Sequence, residues 1–174
     1  MENLNTGEKI AGISGVALIL IMFIFDWFGF SEGPIDLGFN AWESFGVIDL
    51  VLFLAAIAGI GLAVVAATQS QVNMPVAASA IAAGLGILAT VLVLYRIINP
   101  PDFGAGDFGL DFDADRSIGV FLGLIAAAGV AYGGWRAMEE EGTSFGDQAD
   151  RVGSGGPPPP SAPPPPPPAQ GPAA

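Results

Sequence analysis

The chain has 174 residues, of which 52% are hydrophobic and 13% charged, and it carries a formal net charge of −12. Soluble domains average about 25% charged, so this composition argues against an ordinary soluble protein, and five basic residues against seventeen acidic ones argue against nucleic acid and against adhesion to a membrane surface through clustered Lys and Arg. With no Cys and no His, disulfides, the commonest metal ligands and the usual neutral-pH proton shuttle are all missing, so neither a catalytic residue, a metal nor a cofactor is expected.

Four apolar runs, 9–30, 46–68, 74–98 and 117–138, each hold about twenty residues or more. At about 1.5 Å per residue such a helix crosses a hydrocarbon core about 30 Å thick. The sequence therefore predicts an all-α fold, an integral membrane four-helix bundle with a short cytoplasmic turn, two acidic extracytoplasmic loops and a disordered Pro-rich C-terminal tail. The transmembrane domain is expected over 1–142 and the tail over 143–174.

The first run is longer than the apolar core of a secretion signal and lacks a small-x-small cleavage site, so it reads as a retained helix. Its bulky stretch from Leu18 to Phe25 suits a lipid-exposed position, and Trp27, Phe28 and Phe30 suit an aromatic cluster at headgroup depth. The second run has one charge, Asp49, and ends in the polar stretch Gln69-Ser70-Gln71-Val72-Asn73. Pro75 opens the third, where a helix tolerates proline; Asn99-Pro100-Pro101 closes it. Glu139-Glu140-Glu141-Gly142 closes the fourth.

With four spans, the first and third connections share a face. The first carries Glu32, Asp36 and Glu43; the third carries Asp102, Asp107, Asp111, Asp113 and Asp115. Phe103, Phe108, Leu110 and Phe112 in the third connection, with Phe39, Trp42 and Phe45 in the first, would let the two loops close into one cap. Lys9, Arg136 and Arg151 lie on the terminal side against Arg96 and Arg116 on the loop side. That slight excess points to cytoplasmic N- and C-termini. From Gly153 onward Gly, Pro, Ala and Ser dominate, so the tail reads as a disordered segment or, more sharply, as a polyproline II ligand for a protein partner.

Small residues recur every four positions at Ala55, Gly59, Ala63 and Ala67, at Ala78, Ala82 and Gly86, and at Gly119, Gly123, Ala127 and Ala131, with Gly129 and Gly133 on a neighbouring stripe. In a bilayer, helices associate through such close backbone contacts, so these stripes read as packing seams within the chain, or alternatively as a homo-oligomer seam. Ionisable groups near membrane depth are costly, which makes Asp26, Asp49 and Arg96 a candidate intramembrane polar cluster. The plain alternative is an ion-pair layer that holds helix register. Asp111, Asp113 and Asp115 alternate like the start of an EF-hand loop, but Arg116 stands where glycine is required, leaving only weak cation binding.

The segments Phe39-Asn40-Ala41-Trp42, Tyr95-Arg96-Ile97-Ile98-Asn99-Pro100-Pro101, Gly119-Val120-Phe121-Leu122-Gly123-Leu124 and Gly133-Gly134-Trp135-Arg136-Ala137-Met138 resemble those of uncharacterised four-span membrane proteins of high-GC Gram-positive bacteria. The resemblance implies a bacterial inner-membrane location and brings no activity. The expectation is a non-enzymatic accessory or scaffold protein of the plasma membrane, with a small transporter or channel subunit as the alternative.

Overall fold

The computed structural model describes residues 4–32, 35–44, 46–68, 77–100 and 115–154. In chain order the elements are α1 (Thr6–Ile24), β1 (Phe28–Glu32), β2 (Ile35–Phe39), α2 (Ala41–Ser44), α3 (Val47–Thr68), α4 (Ala78–Ile98), β3 (Asp115–Arg116), α5 (Ile118–Glu140) and α6 (Phe145–Ser154). The helices α1, α3, α4 and α5 are long and apolar enough to cross a membrane. Each packs against its neighbours in chain order, and α5 closes the ring against α1.

The distribution of side-chain size follows from how these helices approach one another. Buried positions are dominated by alanine and glycine, such as Ala11, Ala56, Ala83 and Ala127, with a few larger plugs at Leu18, Met22, Leu52, Val93 and Val130. Large apolar side chains, including Ile13, Leu54, Val64, Val91, Ile118 and Ile125, point outward instead. A helix pair can close to backbone contact only where neither side chain intervenes, and that is how the expected seams are used. A Cβ on Gly86 would lie 2.7 Å from Cα of Ala131, and one on Gly134 would lie 2.9 Å from Cα of Ala83. On the opposite flank of α5, Gly133 presses on the backbone of Ala11. Gly59 of α3 meets the carbonyl of Ala11 in the same way.

The position of α1 corrects the expectation that it is the more lipid-exposed helix. It packs extensively against both α5 and α3, because Gly7, Ala11 and Gly15 form a four-residue stripe of their own on its buried face. The bulky residues from Leu18 onward follow that stripe and fill the C-terminal part of the helix. Its start is capped by Asn5, whose Oδ1 accepts the Glu8 N–H at 2.8 Å while Glu8 Oε2 accepts the Asn5 N–H at 2.8 Å.

The first expected span, 9–30, ends early. Phe25 takes an extended conformation after Ile24, and Phe28 to Glu32 form a strand rather than a further turn of helix. The strands order as β2-β1-β3, with Phe28 opposite Phe39 on one side and Arg116 on the other. A three-stranded antiparallel sheet therefore joins the first and third connections, an addition to the expected all-α fold. Trp27 and Phe28 are fully buried within the protein, so they face its core and not the surrounding lipid or water. The Trp27 indole lies over Gly123, its Nε1 donates to the Ile21 carbonyl at 3.1 Å, and its backbone bonds Phe39 and Ser117 at 2.8 and 3.0 Å.

The tail expected from 143 begins with order. Gly142, at φ 68°, ends α5 with paired bonds from Gly142 N–H to Glu139 O and from Thr143 N–H to Met138 O, the reversal that a left-handed residue after a helix produces. Ser144 and Asp147 then cap α6, with Ser144 N–H donating to Asp147 Oδ2 at 2.8 Å. The apolar loop residues Phe45, Phe103, Phe108, Leu110 and Phe112, the polar turn from Gln69 to Asn73, and the polyproline segment lie outside the described residues.

Replacing Gly133 with valine is expected to lower stability by about 2 kcal/mol or more through forced backbone separation, read as a lowered melting temperature in detergent. Gly84→Ala is the control: its added Cβ meets nothing within 4 Å, so its melting temperature should equal or exceed that of the parent. Trp27→Ala should cost about 3–5 kcal/mol and unfasten the sheet from α5, visible as faster amide exchange in β1.

Candidate functional site

At the loop end, Asp26, Asp49 and Arg96 occupy the same layer by chain position but different surroundings. Asp26 is exposed, with its carboxylate against the backbone of Gly38, and its carbonyl accepts the Gly119 N–H at 3.1 Å, capping α5 where Ser117 offers no side-chain bond. Asp49 is 6% exposed in the first turn of α3, and its Oδ1 accepts the Leu50 N–H at 2.8 Å. A carboxylate there also favours the positive end of the helix dipole. Arg96 is half-buried in the last turn of α4, the end that favours a cation. Beside it Arg116 of β3 donates from Nε to the Ile97 carbonyl at 2.6 Å, satisfying one of α4's terminal acceptors. Asp115 is exposed in β3 opposite Gly29; Asp111 and Asp113 lie outside the described residues. Among the described residues no group of three or more acidic side chains could hold a metal.

A second set of residues at this end supports the first loop. Asn40 Oδ1 accepts the backbone N–H of Trp42 and Glu43 at 2.9 and 3.2 Å, and Glu43 Oε2 accepts the Asn40 N–H at 3.0 Å, which starts α2. That turn aims the Trp42 ring at Phe23 and Phe53, with centroids 5.6 and 5.8 Å away.

The opposite end holds the polar groups that composition did not single out. Glu140 and Glu141, consecutive at the end of α5, each serve a different helix. Glu140 accepts the Gly7 N–H at 3.4 Å, near the start of α1, while its other oxygen pairs with Arg136 at 3.3 Å. Glu141 accepts the hydroxyl proton of Ser79, near the start of α4, at 2.7 Å. Both carboxylates thus lie where a helix N-terminus presents unpaired donors and partial positive charge. Gln148 of α6 is 4% exposed and its Oε1 accepts the N–H of Ala77, the residue that precedes α4, at 3.1 Å. The signals were present in the sequence as Ser144-x-x-Asp147 for the helix and as adjacent glutamates at the end of a span. What could not be read there is that α1 and α4 flank α5 closely enough to receive them.

The fold and these ends define a class: a ring of four apolar helices with a small sheet over one end and a short polar helix on the other. The chain matches no protein-family model, no curated protein and no solved structure.

The caps predict a measurable coupling. In a double-mutant cycle, Ser79→Ala and Glu141→Ala should each destabilise the bundle, and together by about 1 kcal/mol less than their sum, read from unfolding midpoints in detergent.

Proposed function

We propose that the chain is a non-enzymatic, multi-pass protein of a bacterial plasma membrane that acts as an accessory or scaffold for other membrane or envelope proteins. The observation that carries this reading is the inverted size distribution, with alanine and glycine inside and isoleucine, leucine, valine and phenylalanine outside. An apolar belt of that kind is stable in lipid and a liability in water. Side chains such as Leu18, Met22, Leu52, Val93 and Val120 fill the middle of the bundle, which supports a packed scaffold over a conduit. The likeness to four-span proteins of high-GC Gram-positive bacteria supports the plasma membrane. The Pro-rich tail, with Pro157 to Pro160 and Pro163 to Pro168, is the segment suited to a soluble protein partner.

One observation favours the second reading, a small transporter or channel subunit with an acidic extracytoplasmic mouth: the burial of the Asp49 carboxylate at the start of a span. The two readings part on Asp49→Asn. In the scaffold the amide oxygen still accepts the Leu50 N–H and the variant changes thermal stability alone; in a transporter, cation flux into liposomes is abolished.

The absence of native cysteine makes topology direct to measure. With cytoplasmic termini, a single Glu43→Cys should react with a membrane-impermeant thiol reagent on intact cells, and Asp147→Cys should react only after lysis. The reverse pattern overturns the orientation. For the scaffold itself, mild-detergent affinity purification from native membranes should retain a partner with the full chain and lose it when the chain ends at Ser154. Identical co-purifying proteins in both samples would remove the tail from the mechanism, and no partner in either would sink the scaffold reading.

A further inference from the structure

Between α1 and α3 the outer surface is cut by a groove of about 540 Å³. It is low because its floor is small: Gly12 meets Ala63 so closely that a Cβ on Gly12 would lie 2.6 Å from that of Ala63. Its walls are Ile13, Val16 and Leu20 on one side and Ile60 and Val64 on the other. The groove has one charged lining residue, Lys9, at the terminal end, and Lys9 is the only lysine in the chain.

Lys9 is exposed, and among the described residues its ammonium makes no ion pair. At the same end of the bundle Glu8 is engaged with the Asn5 N–H, and Glu140 with Arg136 and the Gly7 N–H. Among the described residues the groove is therefore an apolar slot headed by a cation without an ion pair. Its length fits one leaflet: the twelve helical residues from Lys9 to Leu20 span about 16 Å, against about 15 Å for half of a hydrocarbon core about 30 Å thick.

We propose that this groove binds one anionic phospholipid, its acyl chain lying between α1 and α3 and its phosphate on the Lys9 ammonium. The charge complementarity decides the class of lipid. A zwitterionic headgroup brings its own cation to the phosphate and gains little from a lysine, whereas a net-negative headgroup finds in Lys9 an attraction that a chain of charge −12 otherwise denies it. This is a single stoichiometric site, distinct from the broad basic patch that the composition rules against. A second outward groove of about 420 Å³, between α4 and α5, is lined by apolar and aromatic residues with Thr90 and has no charged side chain. It should take acyl chains without regard to headgroup and serves as the internal comparison. The site is independent of the scaffold reading, requiring only that the bundle lie in a bilayer.

The test is native mass spectrometry of the full chain released from nanodiscs of mixed phosphatidylglycerol and phosphatidylcholine. One phosphatidylglycerol is expected to be retained in preference to phosphatidylcholine. Lys9→Gln should reduce that preference about fivefold, the effect of one lysine near a membrane surface, and Lys9→Arg should keep it. Ala67→Trp, which fills the exposed groove while leaving the cation in place, should lower retention as well. Equal retention of both lipids by the parent, or an unchanged preference in Lys9→Gln, overturns the proposal. Loss with Lys9→Gln but undiminished retention with Ala67→Trp overturns the groove, leaving a headgroup contact alone. Matching melting curves for all four proteins exclude unfolding as the cause.

Discussion

Everything in this molecule depends on how near the backbone of α5 comes to α1 and α4. Gly133 lies against Ala11 on one flank and Gly134 against Ala83 on the other, two adjacent residues that hold different neighbours because successive positions on a helix point about 100° apart. Between helices at this separation, dispersion and backbone contact are strong, and they are the terms that would hold helices together where the solvent is as apolar as the side chains. One added methyl group has only backbone to displace, and backbone cannot rotate out of the way.

The polar chemistry at both ends follows from that closeness. Because α1 and α4 both lie beside α5, Glu140 and Glu141 can reach the starts of both. At the other end the early termination of α1 lets Trp27 fold back over Gly123, and the strand that follows pairs with both the first and the third connection. Asp26, Arg116, Glu140, Glu141 and Gln148 all reach the end of a helix, through a carbonyl in the case of Asp26 and through side chains in the others. Among the described residues these polar groups serve the termini of the helices, where unpaired donors and acceptors concentrate.

Sequence reading reached the four apolar helices and most of their seams because both are periodic and long. Gly59, Gly86, Gly123 and Gly133 were visible as stripes, and they bear the contacts described. The stripe Gly7, Ala11, Gly15 was missed because it starts before the apolar run becomes evident and is followed by large residues. The burial of Trp27 is illegible for a different reason: a tryptophan at the end of a span suits both an exposed anchor and a slot over glycine, and composition is the same in each case. The capping pattern at Ser144 and Asp147 was legible but lay within a stretch dominated by its polarity and the prolines beyond it.

By itself the sequence determined the number of apolar helices, their approximate limits, the small faces on which they meet and the lack of cysteine and histidine, since each of these follows from residue type and local period. The tertiary structure alone decided which helices are neighbours, that Trp27 is core, that two connections share a sheet, and that consecutive glutamates bond to two different helices. Those are contacts between residues far apart in the chain, as with Gly7 and Glu140, and they depend on the relative rotation of packed helices. A local pattern shows each helix which face to bury; only the assembled ring determines against whom.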